Sequence, residues 1–225
     1  MGGKGFEISM EITWYGHSCF RISERGFATV VTDPYDGSTT GHGALHLNAD
    51  IVTVSHNKPG HNHVRSILGD PFIISGPGEY EIGGVFVTGL QTNGHHNNVT
   101  IAERNTMYVY DFDGINIVHL GGIDRVPSQS EIEEIGTIHV ALVPIGGNST
   151  LNAAKAAEII TLIEPNIVIP MHYMTENSLI NLDPLNKFLK EMGLSNIEPL
   201  GSLKLTNLRS LPEETQVIVL EAQDS

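Results

Sequence analysis

Ile51-Val52-Thr53-Val54-Ser55-His56-Asn57-Lys58-Pro59-Gly60-His61 is the most informative stretch of the chain. Its first half is a β-branched apolar run of strand length. The run ends in a histidine, and a turn-forming Pro59-Gly60 then delivers a second one at His61. Three other apolar runs end in the same way. Thr29-Val30-Val31-Thr32 is followed by Asp33, Ile115-Asn116-Ile117-Val118 by His119, and Ile167-Val168-Ile169-Pro170-Met171 by His172. Polar, titratable side chains at strand ends gather on one edge of a sheet, where ligand sites are commonly built. The 11 histidines in 225 residues therefore matter by their placement more than by their number.

Outward from this stretch, the first half reads as short strands separated by tight turns. Strands are expected at residues 10–15, 20–23, 28–32, 51–55, 72–75, 85–90, 106–111 and 115–120. Phe112-Asp113-Gly114 marks a hairpin, and Gly76-Pro77-Gly78-Glu79-Tyr80 reads as turn chemistry. Helices enter later. Ser128-Gln129-Ser130-Glu131 is a capping box. Ala156, Ile159, Ile160 and Ile163 form an apolar helical stripe within 151–164. Asp183-Pro184 reads as an N-cap followed by an N1 proline. Strands return at 138–143, 167–170, 203–205 and 216–220. A strand-rich half meeting a half that alternates strand and helix predicts an α/β (α+β) sandwich: two mixed β-sheets packed face to face, with helices outside.

Composition removes several function classes. Acidic residues exceed basic ones by 26 − 12 = 14, and no basic run stands out. Neither nucleic acid nor an anionic membrane is an expected partner. No apolar run approaches the roughly 18 residues of a membrane span, and Met1 to Phe6 has no signal-peptide core. The single Cys19 cannot form an internal disulfide, which fits a cytoplasmic location, and it reads as a small buried hydrophobe. Residues 1–9 are read as an N-terminal extension or a cloning remnant, and residues 10–225 as a single domain. The expected partner is a small-molecule substrate or ligand.

Trp14-Tyr15-Gly16-His17-Ser18-Cys19-Phe20 with Thr32-Asp33-Pro34 resembles the start of the metallo-β-lactamase superfamily branch that includes ascorbate-6-phosphate lactonase and related zinc-dependent hydrolases. The segment His56 to His61 resembles that superfamily's H-x-H-x-D-H loop. His119-Leu120-Gly121-Gly122 resembles its H-L-G-D motif, and Ile169-Pro170-Met171-His172-Tyr173 its final histidine motif. The resemblance implies an αββα sandwich with two divalent metals, usually zinc, between the sheets. It also implies attack by a metal-activated water on an ester, lactone, amide or phosphodiester.

Matched position by position, the resemblance also implies losses. His56, His61 and His172 keep their places, and His95 (or His96 beside it) matches the intermediate histidine. Lys58 stands where a second loop histidine is expected, Gly60 where an aspartate is, and Gly122 where the bridging aspartate is. An inward-pointing Lys58 would oppose a metal, since unit charges ~4 Å apart at an effective ε of ~20 interact by about 4 kcal/mol, and a dication doubles that. A normal dinuclear centre is therefore not expected. The expectation is at most one zinc ion, gathered by His56, His61, His95 and His172, or no metal at all. Lys58, Asp33 and His17 are the remaining cleft candidates; Asp33 reads equally as an orienting partner for a histidine or as a turn residue before Pro34, and His17 as a structural hydrogen-bonding residue ahead of a site-lining one. Lys58→His, Gly60→Asp and Gly122→Asp together are expected to raise metal affinity. The alternative to a hydrolase is an inactive member of the fold that binds a small molecule or partner in the old cleft.

Overall fold

A computed structural model describes residues 10–92 and 104–225. His95 and His96 lie outside the described residues. The chain forms two sheets. The first contains β1 (Met10–Trp14), β2 (Phe20–Ser23), β3 (Val30–Thr32), β4 (Ile51–Thr53), β5 (Phe72–Ile74) and β12 (Leu203–Leu205), in the order β12-β1-β2-β3-β4-β5. The second contains β6 (Gly78–Ile82), β7 (Val85–Gln91), β8 (Thr106–Phe112), β9 (Ile115–His119), β10 (Val140–Pro144), β11 (Ile167–Met171) and β13 (Gln216–Val217), in the order β13-β11-β10-β9-β8-β7-β6.

Burial follows the period of the sequence. In the parallel pair of β3 and β4, Val30 aligns with Ile51 and Val31 with Val52. Val30 and Ile51 join the main core between the sheets. Val31 and Val52 join a smaller cluster with Cys19, Tyr35, Leu45 and Leu47. Alternate residues of a strand point to opposite faces, so this sheet is apolar on both sides. β10 and β11 are buried along their whole length. The helices α2 (Gln129–Ile135), α3 (Ala153–Ile163) and α4 (Leu185–Glu191) come from the second half of the chain; a four-residue α1 (Gly37–Thr40) follows β3. Ala156, Ile159 and Ile160 of α3 are buried as the stripe predicted, each isoleucine contributing roughly 1.5–3 kcal/mol. No described helix is long and apolar enough to cross a membrane.

Local chemistry explains the ends of most elements. Ser128 and Glu131 complete the capping box of α2. The β8–β9 hairpin closes through Asp113 and Gly114, both at positive φ, with Phe112 opposite Ile115. Two expectations need correction. The segment read as a turn at 76–80 is partly strand, because Gly83-Gly84, both at positive φ, folds Gly78–Ile82 back onto β7. Asp183 does not cap α4, since Pro184 takes the cap position without a side-chain bond. The Asp183 backbone instead joins Gly146 and Met174, and its carboxylate pairs with Lys187.

The topology places the polar strand ends together. β3, β4 and β5 are parallel, and β1, two antiparallel steps from β3, runs the same way. The segments after β1, β3 and β4 therefore leave one edge of the first sheet. β9, β10 and β11 are parallel, so His119 and His172 leave one edge of the second. Bonds that join these edges include His172 N–H to the His17 carbonyl at 2.9 Å, Thr106 N–H to the Ser55 carbonyl at 2.8 Å, and His119 Nε2 to the Ser18 carbonyl at 3.0 Å.

Candidate metal centre

Asp33 is wholly buried, and its carboxylate organises one side of the site. Oδ1 accepts the Ser55 backbone N–H at 2.7 Å. Oδ2 accepts the Ser55 hydroxyl at 2.6 Å and His61 Nδ1 at 2.8 Å. A serine hydroxyl has one proton, and here it goes to the carboxylate. The 2.9 Å contact between Ser55 Oγ and His56 Nδ1 must then be donated by the imidazole. Both His56 and His61 thus carry their proton on Nδ1 and leave Nε2 as the unprotonated nitrogen. One carboxylate sets the tautomer of two histidines, one directly and one through Ser55.

Burial pushes His17 and His61 well below the usual imidazole pKa, and the neighbouring histidines push the same way. Burial also lowers His56 and His172 to about 4, against the opposing pull of Asp33. The His61–Asp33 contact is therefore a neutral imidazole donating to a carboxylate rather than an ion pair. All four imidazoles are neutral near pH 7, the state in which histidine binds metals.

Two groups of side chains bring potential ligand atoms within 4.8 Å of one another among the described residues: His17, His61 and His172, and Asp33, His56 and His61. In the first, His17 Nε2 stands 3.1 Å from His61 Nε2, and the His17 and His172 rings lie 4.3 Å apart. His172 Nδ1 is buried and has no hydrogen-bond partner among the described residues. A donor set of neutral imidazoles with an orphaned buried nitrogen fits a zinc ion, which accepts three protein nitrogens and keeps a fourth position open.

The positions expected to carry carboxylates are closed differently. Gly60 has φ +95, and a Cβ there would stand 3.1 Å from His17 Nε2. A Cβ on Gly122 would fall 2.5 Å from the His56 ring. Both glycines thus face histidine rings: an aspartate at 122 would displace the His56 ring, whereas one at 60 would need His17 to give by a few tenths of an ångström and would strain a backbone at φ +95. Lys58 is exposed at the rim. With His56, Gly122, Asp124, Asn148 and Lys155 it lines a polar cleft of about 480 Å³. Asp124 belongs to neither ligand group. A larger cavity of about 930 Å³, beside Arg125 and Glu131, contains no histidine among its lining residues.

Comparison with known proteins agrees with this geometry. The model of the β-lactamase superfamily domain matches residues 11–172. The chain belongs to this family. A UPF0173 metal-dependent hydrolase of Methanocaldococcus jannaschii is 32% identical over 212 residues, covering 83% of this chain and 94% of that protein. A UPF0173 protein of Pyrococcus furiosus is 29% identical over 205 residues, covering 81% and 90%. A Thermotoga maritima crystal structure, assigned to the Zn-dependent hydrolases of the metallo-β-lactamase superfamily, superposes with a TM-score of 0.77. It is 34% identical and covers 95% of this chain and 100% of its own. The β-lactamase superfamily domain thus accounts for both the two-sheet sandwich and the convergence of His56, His61, Gly122 and His172.

Sequence reasoning and structure meet unevenly here. His61, His172, Asp33 and His56 fall at one site, with Asp33 bonded to His61 as an orienting partner would be. His17, read as structural, lies with its ring among the histidines. Three contributors escaped notice. Ser55 relays Asp33 to His56, and its position between Val54 and His56 was the available signal. Asn105 accepts Gly122 N–H at 2.7 Å and donates to the Leu120 carbonyl at 3.0 Å, fixing the glycine turn. Lys155 lines the cleft from α3. No sequence pattern marks the last two. Cys19 is fully buried, and burial pushes its thiol well above the usual range, so it is no nucleophile.

Proposed function

We propose that this member of the β-lactamase superfamily is a metal-dependent hydrolase of a small molecule, with a reduced centre holding one zinc ion. The supporting observation is the relay from Asp33 through Ser55, which turns the Nε2 lone pairs of two neutral histidines away from the carboxylate. The names of its relatives, a metal-dependent hydrolase and a Zn-dependent hydrolase, point the same way. Glycines at 60 and 122 take the place of the two carboxylates that the resemblance assigns to the second ion and the bridge. A bound zinc ion supplies Lewis-acid polarisation and an acidified water. The chain's own residues do the rest: Asp33 holds the imidazole orientation, Asn105 shapes the turn at Gly122, and Lys58 and Lys155 offer positive charge along the cleft. A cytoplasmic location is supported by the unpaired, buried Cys19, and a small-molecule substrate by the net charge of −14, which opposes nucleic acid.

One observation favours a second reading. The His56 ring fills the space in front of Gly122, which suits a cleft rebuilt for binding without turnover. Zinc content of tag-free protein, followed by assays on ester, lactone, amide and phosphodiester panels, separates the two. Stoichiometric zinc with turnover, both lost in His61→Ala and His172→Ala, supports the hydrolase. Zinc without turnover supports the binding protein. Protein that stays metal-free after zinc dialysis refutes the hydrolase reading.

A further inference from the structure

We propose that His17, His61 and His172 are the ligands of the single ion, with His17 standing in for the aspartate missing at position 60. This rests on the metal-dependent reading above and specifies which side chains carry it.

Four observations converge. First, the ligand atoms are already gathered. Tetrahedral zinc with bonds of 2.0–2.1 Å requires nitrogens about 3.3–3.4 Å apart, and the His17 and His61 Nε2 atoms stand 3.1 Å apart. Second, the His17 nitrogen occupies the space in front of position 60, 3.1 Å from where a Cβ would stand. An aspartate and His17 in this position compete for one volume. Third, among the described residues six non-glycine residues have positive φ, and three of them are His17 (51°), Asp33 (38°) and His172 (53°). Such conformations cost free energy and persist where the surroundings over-determine them. The His17 carbonyl is held by both Trp14 Nε1 at 3.2 Å and His172 N–H at 2.9 Å. That linkage fixes two of the three ligands to each other across the two sheets. Fourth, His172 Nδ1 is buried without a partner among the described residues, as an unfilled ligand would be.

The competing group fails on hydrogen-bond arithmetic. Asp33 already accepts three bonds, and the Nδ1 atoms of His56 and His61 both carry protons. In that group Asp33 works behind the histidines, bonded to His61 Nδ1 directly and to His56 Nδ1 through Ser55. In the first group only one adjustment is needed. Without metal, His61 Nε2 is bare, so His17 Nε2 carries the proton between them. Metal binding moves that proton to His17 Nδ1.

Zinc competition titrations on the tag-free full chain test the assignment, alongside imidazole 15N NMR. The wild type binds one zinc. His17→Gln and His17→Ala lose about 100-fold or more in affinity, since even a residue bonded behind a ligand is typically worth 10–100-fold. His56→Ala stays within a few fold. Urea unfolding of each metal-free variant checks that the loss is not one of folding. The NMR readout needs no variant: zinc addition shifts the His17 ring and transfers its proton from Nε2 to Nδ1. Zinc bound at full affinity by His17→Gln but lost in His56→Ala overturns the assignment and leaves the hydrolase reading intact, as does a His17 ring unmoved by stoichiometric zinc. A wild type that binds no zinc overturns both.

Discussion

Asp33→Asn is the sharpest perturbation of the site, because it changes charge and donor pattern with almost no change in shape. The carboxylate accepts three bonds, two from Ser55 and one from His61. Bonds to a charged acceptor contribute about 1.5–3 kcal/mol each and neutral ones about 0.5–1.5. Replacing three charged bonds by three neutral ones therefore costs roughly 3–5 kcal/mol, reduced by the relief of a buried charge. We expect a net loss of about 2–3 kcal/mol, or roughly 5–10 °C in Tm for a chain of this size.

The more telling effect lies in the tautomers. An asparagine Oδ1 kept on the Ser55 N–H turns its NH2 towards Ser55 Oγ and His61 Nδ1. Ser55 then accepts instead of donating and passes its proton towards His56. His56 and His61 both move their proton to Nε2, and the lone pair that His61 presents to the metal disappears. Zinc affinity should fall 10–100-fold or more, the range for partners bonded behind a ligand. Imidazole 15N shifts report the tautomers, zinc competition the affinity, and urea unfolding the stability. Nδ1-protonated His56 and His61 in the variant, or wild-type zinc affinity, would refute the relay.

Other outcomes follow from the same structure. Gly122→Asp should not add a second ion, because the new side chain meets the His56 ring; zinc titration of the single and triple variants, reading one equivalent rather than two, checks this. Tyr110→Phe removes the 2.6 Å bond to Thr53 between the sheets and should cost about 1–2 kcal/mol, measured by urea unfolding. For Glu131, burial acts to raise the carboxyl pKa, but bonds from Arg125 and Ser128 outweigh it and bring it to about 2, below the ordinary glutamate value of 4.5. Its stabilisation of α2 is therefore complete above pH 4.5 and fades as the pH falls towards 2. The stability difference between wild type and Glu131→Gln should shrink across that window, and a difference that grows on acidification contradicts the sign.

The sequence alone determined the architecture and the addresses of the polar strand ends. β-Branched runs of strand length, an Asp-Gly hairpin, a capping box and a helical stripe are local signals, each set by backbone sterics or by a period of 2 or 3.6 residues. Asp33, His56, His61 and His172 were legible because each interrupts an apolar pattern at a strand end. Tertiary structure alone decided which of them meet. His17 and His172 are far apart in the chain and are joined by one backbone bond across two sheets, which no local pattern encodes. The His56 ring over Gly122 and the His17 nitrogen before Gly60 are matters of volume. A glycine in a motif tells a reader that a side chain is missing, but not what has moved into its place. The loop His56 to His61 identified the fold, and only the packing around Gly60 and Gly122 shows which side chains stand in front of them.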